Sequence, residues 1–384
     1  MSKEKPRKRK DGRYEVRKTI NSRRISGYGH TKKEAIIDLQ RKVNRIMEGK
    51  EEKKGSESPT LLEAVVKTLD TKKGIISEKS YQTCVSTFNS HVLPSSLATE
   101  KVDDISAADL QGFLIGKANK GYSKSTINKI HSLLSSTYKL LFLTQQIPYN
   151  TMSLVKKPND QMFTVKPKPV TVLTVEEMEK LEAAAELKNK NGGPLFRYGE
   201  AIVLLMHTGI RTCELQALRL EDIDLETNDR KWLYVNHSMS IVHDDESDSS
   251  KRILHLPKTE KSKRSIPLDE RAELAVRRLI DTTSNPLTGY LVCTQKGNVV
   301  TYGMLLKCYD RMLKEAGIDH TGLRTLRHSF ATALLQTKEG AGRVKEISEL
   351  LGHSRVGTTY QYYIATSDES KGNLVDALND LLSS

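Results

Sequence analysis

Residues 322–363 read GLRTLRHSFATALLQTKEGAGRVKEISELLGHSRVGTTYQYY. Two arginines, Arg324 and Arg327, stand at helical spacing at its start. His353 follows a glycine that can end a helix, and Tyr360, Tyr362 and Tyr363 close the stretch. Guanidinium and imidazole groups can hold a phosphate, and a phenolic hydroxyl can attack one. The pairing points to phosphoryl transfer through a phosphotyrosine. Each residue alone has an ordinary reading: a lone histidine after a helix end is more often a cap, and a lone tyrosine is nearly always structural.

Upstream, residues 173–322 carry two more fragments of the same chemistry. Thr174 and Glu177 make a capping box for a helix through TVEEMEKLEAAAEL. Ala201–His207 is apolar nearly throughout and predicts a buried helix. TGIR then turns the chain, and TCELQALRL is expected to open a further helix. Arg211 sits at that turn, with Glu214 three residues on and able to hold its guanidinium. The bland alternative is a plain ion pair at a helix start. WLYVN, SIVH, RILHLP and RSIPL are short β-like runs. PKTEKSKRSIPL puts Lys258 in a loop between two of them, where a lysine is usually only solvated. Helices are expected at 269–281 and 301–316. A last short helix at 371–382 carries Leu374, Leu378, Leu381 and Leu382 on one face.

Further back, residues 58–158 read as all-helical, with helices near 60–70, 78–92, 107–119 and 124–145. Ser106 with Asp109, and Ser123 with Thr126, mark helix starts. Lys124, Thr126 and Lys129 lie at the start of the last helix. Lysines there usually make a solvated face, and only context promotes them to phosphate contacts. Residues 159–172 contain Pro167 and Pro169 and read as an extended linker. Residues 1–57 hold 19 Lys/Arg against 9 Asp/Glu, most of the chain's excess charge. Within them Tyr14–Lys18 and Arg23–Tyr28 alternate as strands, and Thr31 with Glu34 caps a helix to about Met47. A small basic sheet backed by a helix fits a DNA groove, with Arg13, Tyr14, Arg17, Arg23 and Arg24 as the candidate contacts.

Composition sets the outer bounds. The chain has 384 residues, 37% hydrophobic and 28% charged, with a formal net charge of +13 and a pI near 9.3. That length is consistent with two to three domains, and that charge with an anionic partner, nucleic acid before a membrane surface. No apolar run is long enough to span a bilayer, and no signal peptide is evident. Cys84, Cys213, Cys293 and Cys308 show no metal-ligand spacing and are expected to be reduced in a cytosol-like compartment. No HExxH, Walker A or GxGxxG occurs, so neither a metal nor a nucleotide cofactor is expected.

Taken in order, TGIR…E, PKT…S-x-R-x-IPL, R-x-x-R-H-S-F-A-T, LGHS and TTYQYY make the chain resemble the tyrosine recombinases, specifically the integrases of prophages and conjugative transposons. The resemblance covers essentially the whole chain. It implies a multidomain, mainly α fold with small β-sheets: an arm-site DNA-binding domain with its linker at 1–57, a helical core-site DNA-binding domain at 58–158, and an α+β catalytic domain with a C-terminal exchange helix at 173–384. It implies that Arg211 and Arg327 clamp the scissile phosphate, His353 donates to it, Lys258 protonates the departing 5′ oxygen, and Tyr362 attacks to leave a 3′-phosphotyrosine. Tyr363 and Tyr360 are the alternatives for the nucleophile.

The pattern departs at Arg324, where the family usually has histidine, and at Ile364, where histidine is frequent. Arginine can hold a phosphate but cannot accept the tyrosine proton. His320, four residues earlier, is the other candidate for that space. The implied activity is integration and excision of a mobile element by a tetramer on double-stranded DNA, in a bacterial cytoplasm at the nucleoid. An accessory DNA-bending or excision factor is a further implied partner. A resolvase or invertase of the same family, and a non-catalytic DNA-binding regulator, are the rival readings.

Overall fold

The structure, a computed structural model, describes residues 6–9, 12, 14–20, 23–29, 31, 32, 34–36, 39, 43, 58–165, 171–226, 229–244, 249–256, 263–337, 339, 340, 342–353 and 357. Arg13, Lys258, Tyr360, Tyr362, Tyr363, Ile364 and the expected helix at 371–382 lie outside the described residues, as does the side chain of Arg23. The chain divides into two compact units, residues 1–166 and 167–384.

In the first unit, strands β1 (Arg7–Lys8), β2 (Tyr14–Ile20) and β3 (Arg23–Gly29) form an antiparallel sheet in that order, with Arg17 opposite Ser26. Val16 and Ile25 point to one face and are buried against Ala35, Leu39 and Val43 of the following helical segment. The period-2 alternation therefore puts Arg17 and Arg24 on the opposite, exposed face; Lys18 shares the face of Val16 and is exposed all the same.

The same unit contains α1 (Leu61–Lys72), α2 (Glu78–Thr87), α3 (Ala107–Asn119) and α4 (Lys124–Leu143). Capping boxes open α1 at Thr60 with Glu63 and α3 at Ser106 with Asp109, and the Ser123 hydroxyl caps α4. The helix expected over 78–92 is present but changes pitch: after Thr87 it continues as a wider π turn, Phe88–Val92. Leu61, Leu110, Leu114, Ile127, Ile130, Leu134 and Tyr138 close one core beneath these helices.

The second unit is built around α6 (Gly199–Thr208), whose residues Ala201–Met206 are at most 2% exposed. Against it pack α5 (Val175–Glu186), opened by the Thr174–Glu177 capping box, and further α8 (Glu270–Thr282), α9 (Tyr302–Ala316) and α10 (Arg324–Gln336). Helix α11 (Val344–Leu351) packs on α10. Strands β4 (Ile223–Asp224), β5 (Trp232–Val235) and β8 (Arg264–Pro267) form one antiparallel sheet, with Val235 opposite Arg264. Strands β6 (Ser238–Asp244) and β7 (Ser249–His255) pair as a separate two-stranded ribbon.

TCELQALRL opens a helix, as expected, but does not carry it on. Only Thr212–Leu215 is helical, a single turn we label α7. Beyond it the Gln216 amide donates to the Val300 carbonyl (2.8 Å), and the backbone at Leu218 and Leu220 bonds to Leu291 and Gly289. The two backbone bonds claim a carbonyl and an N–H that a continuing helix would have used. Among the described residues no helix is long and apolar enough to cross a membrane.

Candidate active site

The site is assembled at the carboxyl end of α11. Gly352 has φ +64°, the left-handed conformation that glycine adopts without strain. It ends the helix in a Schellman motif: the Gly352 N–H bonds the Glu349 carbonyl and the His353 N–H bonds the Ser348 carbonyl, each at 2.9 Å. The next three carbonyls then take one arginine each. Arg264 Nε donates to Leu350 (2.6 Å), Arg327 Nη2 to Leu351, and Arg211 Nη2 to Gly352 (2.9 Å). Three cations thus meet the negative end of the helix dipole.

Each arginine is also held at a second point. Arg211 Nη1 donates to Glu214 Oε1 at 2.7 Å, and the Arg211 backbone N–H to Oε2 at 2.8 Å. Glu214 does this from the third position of α7, so the single helical turn is what puts carboxylate and guanidinium on one side. Arg327 Nη1 donates to the carbonyl of Gly209 at 2.6 Å. Gly209 itself has φ +59° and caps α6 by bonding back to Leu205 (3.0 Å). Helix ends, rather than strands, therefore aim the two arginines expected at the phosphate. Arg327 is buried at 6% exposure, Arg211 is partly exposed and Arg324 is exposed.

The electrostatics follow from that crowding. Burial, with Arg327, Arg211, Arg264 and Arg324 around it, pushes the His353 imidazole down to about 3. His353 is therefore neutral at pH 7, with one ring N–H to donate. His328 is pushed down to about 4 by burial and by Arg324 and Arg327. Burial alone would raise the Glu214 carboxyl, but Arg264 and Arg211 hold it below the usual carboxylate range. One carboxylate among these cations leaves a centre suited to an anion. Among the described residues no group of three His, Cys, Asp or Glu side chains could hold a metal ion.

The structure thus brings together Arg211, Glu214, Arg327 and His353, with Arg324 near enough to act on His353. His320 is elsewhere: its imidazole is 74% exposed and sits 3.2 Å from Asp310 on α9. Arg264 was missed as a site residue, although it lies in the S-x-R-x-IPL motif. Its alternation with buried Ile266 and Leu268 was the available signal, because period-2 spacing places all three on the inward face.

Of the remaining nucleic-acid candidates, Arg24 is exposed, Arg17 pairs with Glu15 (2.8 Å), and Lys32 lies over the ring of partly buried Tyr14. Lys124 pairs with Asp160 at 2.6 Å, and the Thr126 N–H is taken by the Ser123 cap. Lys129 is exposed and, behind burial and Lys117, helps hold the His91 imidazole down.

The profile of the phage integrase family matches residues 171–370, just over half of the chain. A XerC-like tyrosine recombinase of Caldanaerobacter subterraneus subsp. tengcongensis is 26% identical over 380 residues, covering 92% of this chain and 91% of that one. The transposase of transposon Tn916 from Enterococcus faecalis is 27% identical over 300 residues, 72% of this chain and 68% of that one. Among solved structures, the Tn1549 transposon integrase in complex with a circular-intermediate DNA superposes with TM-score 0.66 at 21% identity, over 84% of this chain and all of that one. A lambda integrase tetramer bound to a Holliday junction superposes with TM-score 0.55 at 16% identity, over 93% and 94%. By the family match and the multidomain fold, this chain belongs to the phage integrase family and is a tyrosine-type site-specific DNA recombinase.

Proposed function

We propose that the cluster around His353 is the phosphoryl-transfer centre of an integrase that inserts and excises a mobile element. Arg211 and Arg327 hold the non-bridging oxygens of the scissile phosphate, and Arg324 supplies a third guanidinium from the exposed start of α10. Planar, permanently charged guanidiniums suit the growing charge of a pentacoordinate transition state. His353 donates its ring N–H. The Tyr362 hydroxyl gives its proton to water or to a phosphate oxygen and attacks phosphorus, the bond to the 5′ oxygen breaks, and Lys258 protonates that oxygen. The phosphodiester energy is kept in a 3′-phosphotyrosine, so religation needs no nucleotide.

One observation carries this reading: Arg327 and Arg211 fixed on two successive carbonyls beside a neutral histidine. Such a set is oriented before DNA arrives, and pre-orientation is what makes electrostatic stabilisation effective.

We extend the reading to the rest of the chain. Residues 1–57 bind arm DNA through the basic sheet that carries Arg17 and Arg24, 58–158 bind the core site beside Lys129, 159–172 link them to the catalytic domain, and 173–384 contains the chemistry. The exposed charge of that sheet supports this, as do the DNA-bound and tetrameric states of the structurally similar integrases. Strand exchange is assigned to a tetramer, with the segment at 371–382 docking on a neighbouring protomer and an accessory DNA-bending or excision factor setting direction. The setting is the nucleoid of a bacterial cytoplasm.

The test is incubation with duplexes carrying the ends of the chain's own element. A protein–DNA adduct that survives denaturation and leaves a free 5′-OH is expected. Specific binding without any adduct, on nicked suicide duplexes as well, would leave only a DNA-binding protein.

A further inference from the structure

Arg264 is a buried cation that the chemistry above does not use. Its side chain is 6% exposed. Nη2 lies 2.8 Å from Glu214 Oε2, Nη1 lies 3.2 Å from Oε1, and Nε donates to the Leu350 carbonyl at 2.6 Å. The same two carboxylate oxygens accept the Arg211 guanidinium and the Arg211 backbone N–H. The end of α11 closes down directly on this group. A Cβ on Gly352 would stand 3.0 Å from Arg264 Nη1 and 3.3 Å from Cζ.

We propose that Arg264 is a positioning residue for phosphoryl transfer. By gripping Glu214 and the Leu350 carbonyl at once, it fixes Arg211 and His353 relative to each other. The inference rests on the reading of Arg211 and His353 as phosphate-binding groups. A buried arginine is a poor way merely to stabilise a fold, since apolar residues of similar volume do as well or better. Its planar fork is needed only if two partners must be held in fixed directions. Lysine, with one compact ammonium, could grip one of them.

A pH signature separates positioning from simple support. Glu214 is faced by Arg211 from its own turn and by Arg264 from β8; His353, at the α11 end, is faced by Arg327, Arg211, Arg264 and Arg324. Burial works to raise the Glu214 carboxyl. Without Arg264 it therefore takes up a proton at higher pH, and the neutral carboxyl lets go of the Arg211 guanidinium. Cleavage by Arg264→Met should fall as pH falls, where the wild-type chain holds its rate. Adding Glu214→Gln removes the titrating group and should abolish this acid limb.

The experiment measures single-turnover adduct formation on a nicked core duplex from about pH 5.5 to 8, with DNA affinity by gel shift. The His353 ring is titrated by NMR in the DNA-free chain. Arg264→Met should cleave about 100-fold more slowly, the scale of a misplaced catalytic group, with affinity unchanged. Arg264→Lys should recover part of the rate. In DNA-free Arg264→Met the His353 ring should titrate nearer 6.5 than in the wild-type chain. If the wild-type chain forms no adduct, the reading of the site fails, and the His353 titration in Arg264→Lys, where a cation is kept and the fork is lost, decides the positioning role: a move towards 6.5 there supports it and a wild-type titration overturns it. Cleavage by Arg264→Met at the wild-type rate, a loss matched by the unfolded fraction, an acid limb that persists with Glu214→Gln, or an unmoved His353 titration would each overturn the proposal.

Discussion

At the scale of single residues, Arg324 is where family pattern and chemistry part. It is exposed at the start of α10, and its charge acts on both His328 and His353. His320 is held at Asp310 and does not fill the space. We expect Arg324→Ala to slow cleavage of a suicide duplex with little loss of DNA affinity. Arg324→Lys should keep part of the rate, because charge survives and the fork does not. His320→Ala should cleave as the wild-type chain does. A large defect in His320→Ala beside a near-normal Arg324→Ala would exchange the two assignments. The residue-level site was legible in sequence wherever a short motif fixed both spacing and residue type, as in Arg211 with Glu214. Arg264 was not legible as a site residue, because its partners Glu214 and Leu350 lie 50 and 86 positions away in the chain and only folding brings them to it.

At the scale of elements, the ends of helices decide where the arginines point. Gly209 ends α6 in the left-handed region, and its carbonyl receives Arg327. A Cβ there would lie 2.4 Å from Phe330 Cδ1 and 2.9 Å from Leu351 Cδ2. Gly209→Ala should therefore cost about 2 kcal/mol or more of stability, from backbone strain and overlap together, measured by urea unfolding. It should also slow cleavage by shifting Arg327, and a silent Gly209→Ala would contradict this geometry. Two residues earlier, His207 bridges Glu182 on α5 and Asp269 at the cap of α8, each at 2.8 Å. Burial lowers its pKa, but the two carboxylates outweigh that and leave it raised. A histidine raised on folding stabilises fully below its unfolded value, and the gain fades as pH rises through the folded one. His207→Gln should then cost about 1 to 2 kcal/mol near pH 6 and less at higher pH. A penalty that grows with pH would reverse the sign argued here. Capping boxes and periodicity foretold most helices, since these are local signals. The early end of α7 was not foretold, because the groups that take over its backbone belong to Gly289 and Leu291.

At the scale of the whole molecule, charge and chemistry lie in different parts of the chain. Residues 1–57 hold most of the net charge, whereas the proposed centre begins at Arg211. Deleting residues 1–57 should weaken arm-DNA binding and flatten its salt dependence by about 0.9 in log K per log salt for each phosphate they neutralise. Core-site cleavage should survive, because Arg211, Glu214, Arg264, Arg327 and His353 all lie in residues 167–384. An unchanged salt slope would remove the arm-binding role. We propose that this molecule cuts and rejoins DNA through one phenolic oxygen, that of Tyr362. The direct measurement traps the adduct on a nicked core duplex and maps the modified peptide by mass spectrometry in wild-type, Tyr362→Phe and Tyr363→Phe chains. A phosphotyrosine at Tyr362 is expected, lost in Tyr362→Phe with core-site affinity intact and kept in Tyr363→Phe. An adduct that persists in Tyr362→Phe would contradict it.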